Sequence, residues 1–179
     1  MKKIETLFIR EGKGRAFMAT PQVSPGCEWV TAGEGVATRK WDGTCCAVIG
    51  GKLYKRIDWD AAKGPAPASW LHHTFNPEQR SGHGWFPVGE GPEDWMHREA
   101  WMRDGALADG TYELCGPKVQ KNTEGFEHYT LVRHGCETLD APRDFDGLKA
   151  FLKDCPHEGI VWHHQDGRMV KIKRTDFWR

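Results

Sequence analysis

Lys40-Trp41-Asp42-Gly43 stands between two runs, residues 36–40 and 44–49, whose Val, Ala, Thr, Cys and Ile content marks strands. The tetrapeptide therefore occupies a strand-loop-strand setting. Gly50-Gly51 follows as a hairpin signal into Lys52-Leu53-Tyr54-Lys55-Arg56. Further out, strands are expected over 111–115, 129–133, 159–163 and 168–173, with Asp166-Gly167 turning the last pair. Helices are expected over 92–103 and 145–153; the first has Pro92 in its opening turn, Glu93 and Asp94 near its positive end and Arg103 near its close. Pro65, Pro67, Asn76-Pro77, Gly82, Gly84, Pro87, Gly89 and Gly91 make residues 57–92 read as a loop-rich insertion. Hairpins with a few helices suggest an α+β domain built on antiparallel sheets.

A chain of 179 residues suits one domain, 1–179, with a sizeable core. No apolar run approaches the ~20 residues that span a bilayer, and the charged opening Met1-Lys2-Lys3-Ile4-Glu5 lacks the apolar stretch of a signal peptide. A cytoplasmic monomer without a membrane partner is expected. The six cysteines, at 27, 45, 46, 115, 136 and 155, include no Cys-x-x-Cys pair and read as reduced, partly buried thiols. The histidine doublets His72-His73 and His163-His164 place neighbours on opposite strand faces and are given no metal role. A formal net charge of zero argues against a strongly basic coat for nucleic acid. The charge is nonetheless uneven, with Lys2, Lys3, Arg10, Lys13 and Arg15 near the start and Arg168, Lys171, Lys173, Arg174 and Arg179 at the end. Basic ends folded near one another would suit phosphates.

Four short motifs follow Lys40-Trp41-Asp42-Gly43: Lys55-Arg56, Tyr112-Glu113-Leu114-Cys115-Gly116, Glu158-Gly159-Ile160-Val161 and Lys171-Ile172-Lys173. Their order resembles nucleotidyl motifs I, Ia, III, IV and V of the covalent nucleotidyltransferases, the superfamily that contains DNA ligases, RNA ligases and mRNA capping enzymes. The resemblance implies the adenylation-domain fold, two antiparallel sheets flanked by helices with a nucleotide between them. It also implies that a nucleotide becomes attached to the Lys40 nitrogen.

Lysine attacks phosphorus only as the neutral amine, yet its unperturbed pKa is near ~10.4, so burial or nearby positive charge must lower it. Arg56, Lys171 and Lys173 are the obvious sources of that charge. Asp42 would favour the ammonium form, so its role is hydrogen bonding within the loop or orienting Lys40. Gly43 would supply either a positive φ or room for the nucleotide. Alternation along a strand lets Lys171 and Lys173 face the same way, with Ile172 packed behind. By resemblance, Lys171 and Lys173 engage the α-phosphate, Arg39 and Arg56 contact the nucleotide, Glu113 contacts the ribose, and Glu158 makes a metal-linked contact to which Glu113 could add. Magnesium suits such carboxylates because it prefers oxygen ligands and bridges phosphates, with manganese as an alternative. Tyr129, with Phe126 and His128 as alternatives, would stack on the purine, a contact of ~1 to 3 kcal/mol.

After Lys171-Ile172-Lys173 the chain runs only through Arg174-Thr175-Asp176-Phe177-Trp178-Arg179, so no OB-fold domain is expected, unlike in DNA ligases and capping enzymes. Gly116-Pro117-Lys118-Val119-Gln120, and Arg174 leading into Asp-Phe, look like a group of small ATP-dependent RNA ligases. The expected activity is sealing of 5′-phosphate and 3′-hydroxyl RNA ends with ATP, with Arg174 and Arg179 as RNA contacts. The alternatives are a stand-alone nucleotidyltransferase acting on another acceptor, and a non-catalytic nucleotide- or RNA-binding module.

Overall fold

Apolar and β-branched runs bounded by glycine and turn residues form most of the strands in the computed structural model, which describes residues 4–12, 17–60, 64–65, 68–76 and 81–178. In chain order the strands are β1 (Glu5–Thr6), β2 (Phe8–Glu11), β3 (Met18–Val23), β4 (Val36–Lys40), β5 (Thr44–Ile49), β6 (Lys52–Asp60), β7 (Leu71–Asn76), β8 (Ser81–Pro87), β9 (Gly110–Cys115), β10 (Thr130–Arg133), β11 (Gly159–His163) and β12 (Met169–Lys173). Among the described residues three α-helices join them: α1 (Glu28–Thr31), α2 (Trp95–Asp104) and α3 (Phe145–Asp154). The architecture is α+β. The chain forms two compact units, one of them Asp42–His134 and the other drawn from the residues before and after that stretch.

In the second of these, β11 pairs antiparallel with both β12 and β4, while β1 joins the far edge of β12 in parallel, giving the order β1-β12-β11-β4. The sheet is thus mixed, where antiparallel pairing alone was expected. Hairpin rules govern strands that are neighbours in sequence, and β1 meets β12 from the other end of the chain, as a two-residue strand with no readable period. Ile160, Trp162, Val170 and Ile172 turn inward from β11 and β12 to pack with Leu7, Phe8 and Val30 and with Leu148 and Leu152 of α3. Leu148 and Leu152, four residues apart, lie on one helix face, and the Asp144 carboxylate caps the helix by accepting from the Gly147 N–H at 2.8 Å. Each fully buried Leu or Ile of this core contributes about 1.5–3 kcal/mol.

The Asp42–His134 unit holds a six-stranded antiparallel sheet, β10-β9-β5-β6-β8-β7. Cys46, Val48, Leu53, Tyr112, Leu114 and Leu131 face one core, which Ala100 of α2 completes. Ala47, Tyr54 and Trp85 pack on the opposite face. The expected loop over 57–92 is corrected here, because β6 runs on to Asp60 and pairs with β8 from Tyr54↔Pro87 to Asp60↔Ser81, and β7 adds a further strand. Gly82 and Gly84 lie inside β8, and Pro87 closes it at a strand end where a missing N–H is tolerated. A local reading takes glycine and proline as loop signals, whereas here the pairing of β8 with β6 and β7 carries them within a strand.

Asp94 ends up buried at the start of α2, but its side chain makes no cap bond to the helix. It instead forms an ion pair with Lys55 of β6 and accepts from the Gly89 N–H at 2.8 Å. Burial opposes the charged carboxylate, yet Lys55 and the Gly89 N–H outweigh it and hold its pKa below the ordinary value. A depressed folded pKa means that this contribution is complete above the unfolded pKa and is lost as pH falls through the folded one. Asp94→Ala should cost about 3 kcal/mol near neutral pH by leaving Lys55 unpaired. Denaturant melts should show the gap between wild type and variant narrowing below about pH 4; a gap that does not change with pH would mean that the ion pair contributes nothing.

Candidate active site

A glycine organises the lysine cluster. Gly159 of β11 stands directly opposite Lys40 of β4 on one side and Lys173 of β12 on the other. A Cβ at residue 159 would lie 2.1 Å from the Ile172 carbonyl oxygen and 2.8 Å from the Lys173 Cα, so only glycine permits this approach. The preceding residue, Glu158, is fixed by its own carbonyl, which accepts from the Arg174 N–H at 2.9 Å. Its carboxylate bridges two ammonium groups: Oε2 pairs with Lys40 Nζ, and Oε1 with Lys173 Nζ. Lys40 Nζ also lies 3.4 Å from the Trp41 carbonyl oxygen. Lys171, two residues before Lys173 and opposite Val161, belongs to the same sheet face, while Ile172 between them is wholly buried. The backbone N–H of Lys173 donates to Asp176 at 2.8 Å, and Asp176 also pairs with Arg10 at 3.3 Å.

Two ammonium groups around one carboxylate, with Lys171 on the same face, form a half-buried polar surface whose N–H donors match a phosphate group. Arg39, the neighbour of Lys40, stacks its guanidinium 3.6 Å from the centre of the Trp41 ring and pairs with Glu137 at 3.4 Å. That stacking fixes the chain at the end of β4.

A second constellation lies on the six-stranded sheet. Glu113 of β9 stands opposite Cys45 of β5 on one side and Val132 of β10 on the other. His134, two residues beyond Val132, reaches the same face, and its Nε2 meets Glu113 Oε2 at 2.8 Å. Cys46 pairs with Lys55, so alternation sends Lys55 to the core face with Asp94 and Arg56 to the face of Cys45. Burial, and then the Glu113 charge, push the Cys45 thiol up to about 12 against the opposing pull of Arg56. Arg56 also pairs with Asp58 at 3.5 Å.

The structure brings Lys40, Glu158, Lys171 and Lys173 onto one sheet, and Glu113 and Arg56 onto the other. Asp42 accepts from the Thr123 hydroxyl at 2.9 Å, and its N–H donates to Glu124 at 2.8 Å, so its partners lie some eighty residues ahead in sequence. Gly43 does not supply a positive φ. A Cβ there would lie 2.3 Å from the Leu114 carbonyl oxygen and 2.7 Å from Glu113 Cγ, so the glycine admits β9. Tyr129 is buried in the core behind β9 and β10, edge-on to Trp95, and its ring packs on Gly116. His128 is exposed and Phe126 half-buried. Arg174 is exposed beside Lys173, and Arg179 lies outside the described residues. His134, Trp41 and Glu137 were given no role by sequence reading, although Trp41 stands within the Lys40–Gly43 tetrapeptide. The alternation Val132-Arg133-His134 beyond a strand end was the one available signal for His134.

The two carboxylates differ as candidate metal ligands. Glu158 has the oxygen chemistry magnesium needs, provided a nucleotide supplies phosphate oxygens and one lysine contact is exchanged. Glu113 instead belongs to a sulfur, nitrogen and oxygen trio with Cys45 and His134, the single such group of three among the described residues.

No family model matches the chain. Among curated proteins it is similar to RNA ligase 1 of the zebrafish Danio rerio, with 35% identity over 78 residues, covering 38% of this chain and 24% of that protein. The match thus takes in about a quarter of the relative's length and supports an RNA-ligase-like relationship. No helix among the described residues is long and apolar enough to cross a membrane.

Proposed function

We propose that the protein is an ATP-dependent RNA ligase that seals 5′-phosphate and 3′-hydroxyl RNA ends through an AMP adduct on Lys40. The observation that most supports this reading is the Glu158 carboxylate held between Lys40 and Lys173 on a face that also carries Lys171. Lys40, once neutral, attacks the α-phosphorus of ATP; a P–N bond forms, and the P–O bond to pyrophosphate breaks. Glu158 lies at hydrogen-bonding range of the amine to take its proton. Lys171 and Lys173 offset the charge that develops on the α-phosphate. Magnesium, when bound, neutralises phosphate charge, and Glu158 is the carboxylate that would hold it, with manganese able to substitute. Arg39, Arg56 and Glu113 are assigned to the nucleotide, Glu113 to its ribose. Tyr129 would meet the base only after leaving the core.

In the second step an RNA 5′-phosphate oxygen attacks the adduct's phosphorus, breaking the P–N bond and returning Lys40. In the third, a 3′-hydroxyl attacks the activated 5′-phosphate, closing the strand and releasing AMP. The similarity to an RNA ligase favours RNA as the acceptor over a stand-alone nucleotidyl transfer.

Incubation with magnesium and ATP should give one added AMP that survives denaturation, visible by intact-protein mass spectrometry and absent from Lys40→Ala. An adduct that persists in that variant would remove the central step. Glu158→Ala and Lys173→Ala should stay folded but lower the rate of adduct formation by about 10²-fold or more. Near-normal labelling of both would reject the roles given to them.

Arg174 and Arg179 are assigned to RNA phosphates on charge and on their closeness in sequence to Lys173. The double change Arg174→Ala/Arg179→Ala should spare adduct formation, weaken joining of RNA ends, and flatten the log–log salt dependence of joining by about 1 to 1.5. Joining should also fall when the strand supplying the 3′-hydroxyl is DNA. Equal joining by wild type and double variant across salt would dismiss the contact, and adenylated protein that never joins RNA would favour another acceptor.

A further inference from the structure

We propose that Cys45, Glu113 and His134 form a three-ligand site for a thiophilic divalent cation of the zinc class. Their ligand atoms, Cys45 Sγ, a Glu113 carboxylate oxygen and a His134 ring nitrogen, all lie within 4.8 Å of one another. A tetrahedral zinc ion with bonds of about 2.0–2.3 Å sets its ligand atoms about 3.3–3.6 Å apart. His134 Nε2 and the Glu113 carboxylate, now 2.8 Å apart, would open to that spacing as the ion enters between them and the Cys45 sulfur. Three protein ligands leave a fourth position for water, as in zinc sites that remain open to solvent or substrate.

The backbone is already set. Cys45 and Glu113 are direct cross-strand partners, and the N–H of His134 donates to the Thr111 carbonyl at 3.1 Å as β10 continues past its last residue. All three ligands therefore project from hydrogen-bonded strands, so little chain must be ordered on binding. All three are also half-buried or buried, which limits competition from water for the ion.

The donor set chooses the ion. One sulfur, one imidazole nitrogen and one carboxylate suit zinc, cobalt or cadmium, whereas magnesium and calcium favour oxygen ligands throughout. Binding displaces the thiol proton of Cys45 and the hydrogen bond between His134 and Glu113, releasing one proton per ion. Arg56, hydrogen-bonded to Cys45, is the opposing charge, and its guanidinium must yield the sulfur as the ion enters. An ion held here occupies Glu113, so it withdraws that carboxylate from any other partner.

Cobalt chloride reports on the site directly. Titrated into reduced protein, it should give a near-ultraviolet thiolate-to-cobalt charge-transfer band that saturates at one equivalent and is bleached by zinc chloride. Cys45→Ser should abolish the band, His134→Gln should weaken cobalt binding at least about tenfold, and Cys136→Ser, which changes an exposed cysteine outside the trio, should keep it. Circular dichroism establishes that each variant is folded, and the histidine variant decides the matter if Cys45→Ser is not. No band in the wild type up to millimolar cobalt, or a band undiminished in folded Cys45→Ser or His134→Gln, would overturn the proposal.

Discussion

One carboxylate held between two ammonium groups is the constraint around which the lysine-bearing sheet is built. At the dielectric typical of a partly exposed pair, each contact of Glu158 with Lys40 or Lys173 carries a Coulomb attraction on the order of 4 kcal/mol, most of it offset by desolvation. The net gain in stability is small. What the arrangement secures is position: with Glu158 between them, two like charges tolerate facing strands, and without it they repel across Gly159. The missing side chain at Gly159 is the other half of the constraint, since a Cβ there would meet the Ile172 carbonyl and force apart the strands that carry the lysines.

Register allocates roles on the six-stranded sheet in the same way. Lys55 and Arg56 are adjacent and both basic, yet alternation sends them to opposite faces. Lys55 goes to the buried carboxylate of Asp94 and becomes part of the scaffold; Arg56 goes to the face of Cys45 and Glu113. A one-residue slip of β6 would exchange them, leaving Asp94 buried without its cation and moving Tyr54 from one core to the other. The Asp94 ion pair thus penalises the wrong register as well as closing the start of α2.

Much of this was legible in the sequence. Val36–Lys40, Thr44–Ile49 and Gly159–His163 could be bounded from composition because each is a short run rich in Val, Ile, Thr, Ala or Cys next to a glycine or turn signal. The pairing of β1 with β12 could not, since two residues carry no period and the partner lies at the other end of the chain. Glycines misled twice: Gly82 and Gly84 read as loop residues but lie inside β8, and Gly43, expected to supply a positive φ or room for the nucleotide, instead admits β9. The ion pairs of Glu158 were equally hidden, because 118 residues separate it from Lys40 and no spacing rule spans that distance. Motif order brought these residues under notice; the sheet register shows how they meet.

Two glutamates that look alike in sequence, each among apolar or small neighbours, differ through what the strands set beside them. Glu158 is held between the ammonium groups of Lys40 and Lys173, hard donors that an anionic oxygen matches. Glu113 faces a thiol and an imidazole, whose softer donors favour a different class of ion. The difference arises from register: Cys45 stands opposite Glu113 because β5 pairs antiparallel with β9 from Thr44↔Leu114 onward, and His134 reaches the face because β10 keeps its alternation for one residue beyond its end. Moving either strand by one residue would turn Cys45 or His134 to the core side and leave Glu113 a lone carboxylate. The metal preference of this sheet is therefore a property of its pairing, held in place by the same core residues, Cys46, Tyr112 and Leu114, that fix the strands.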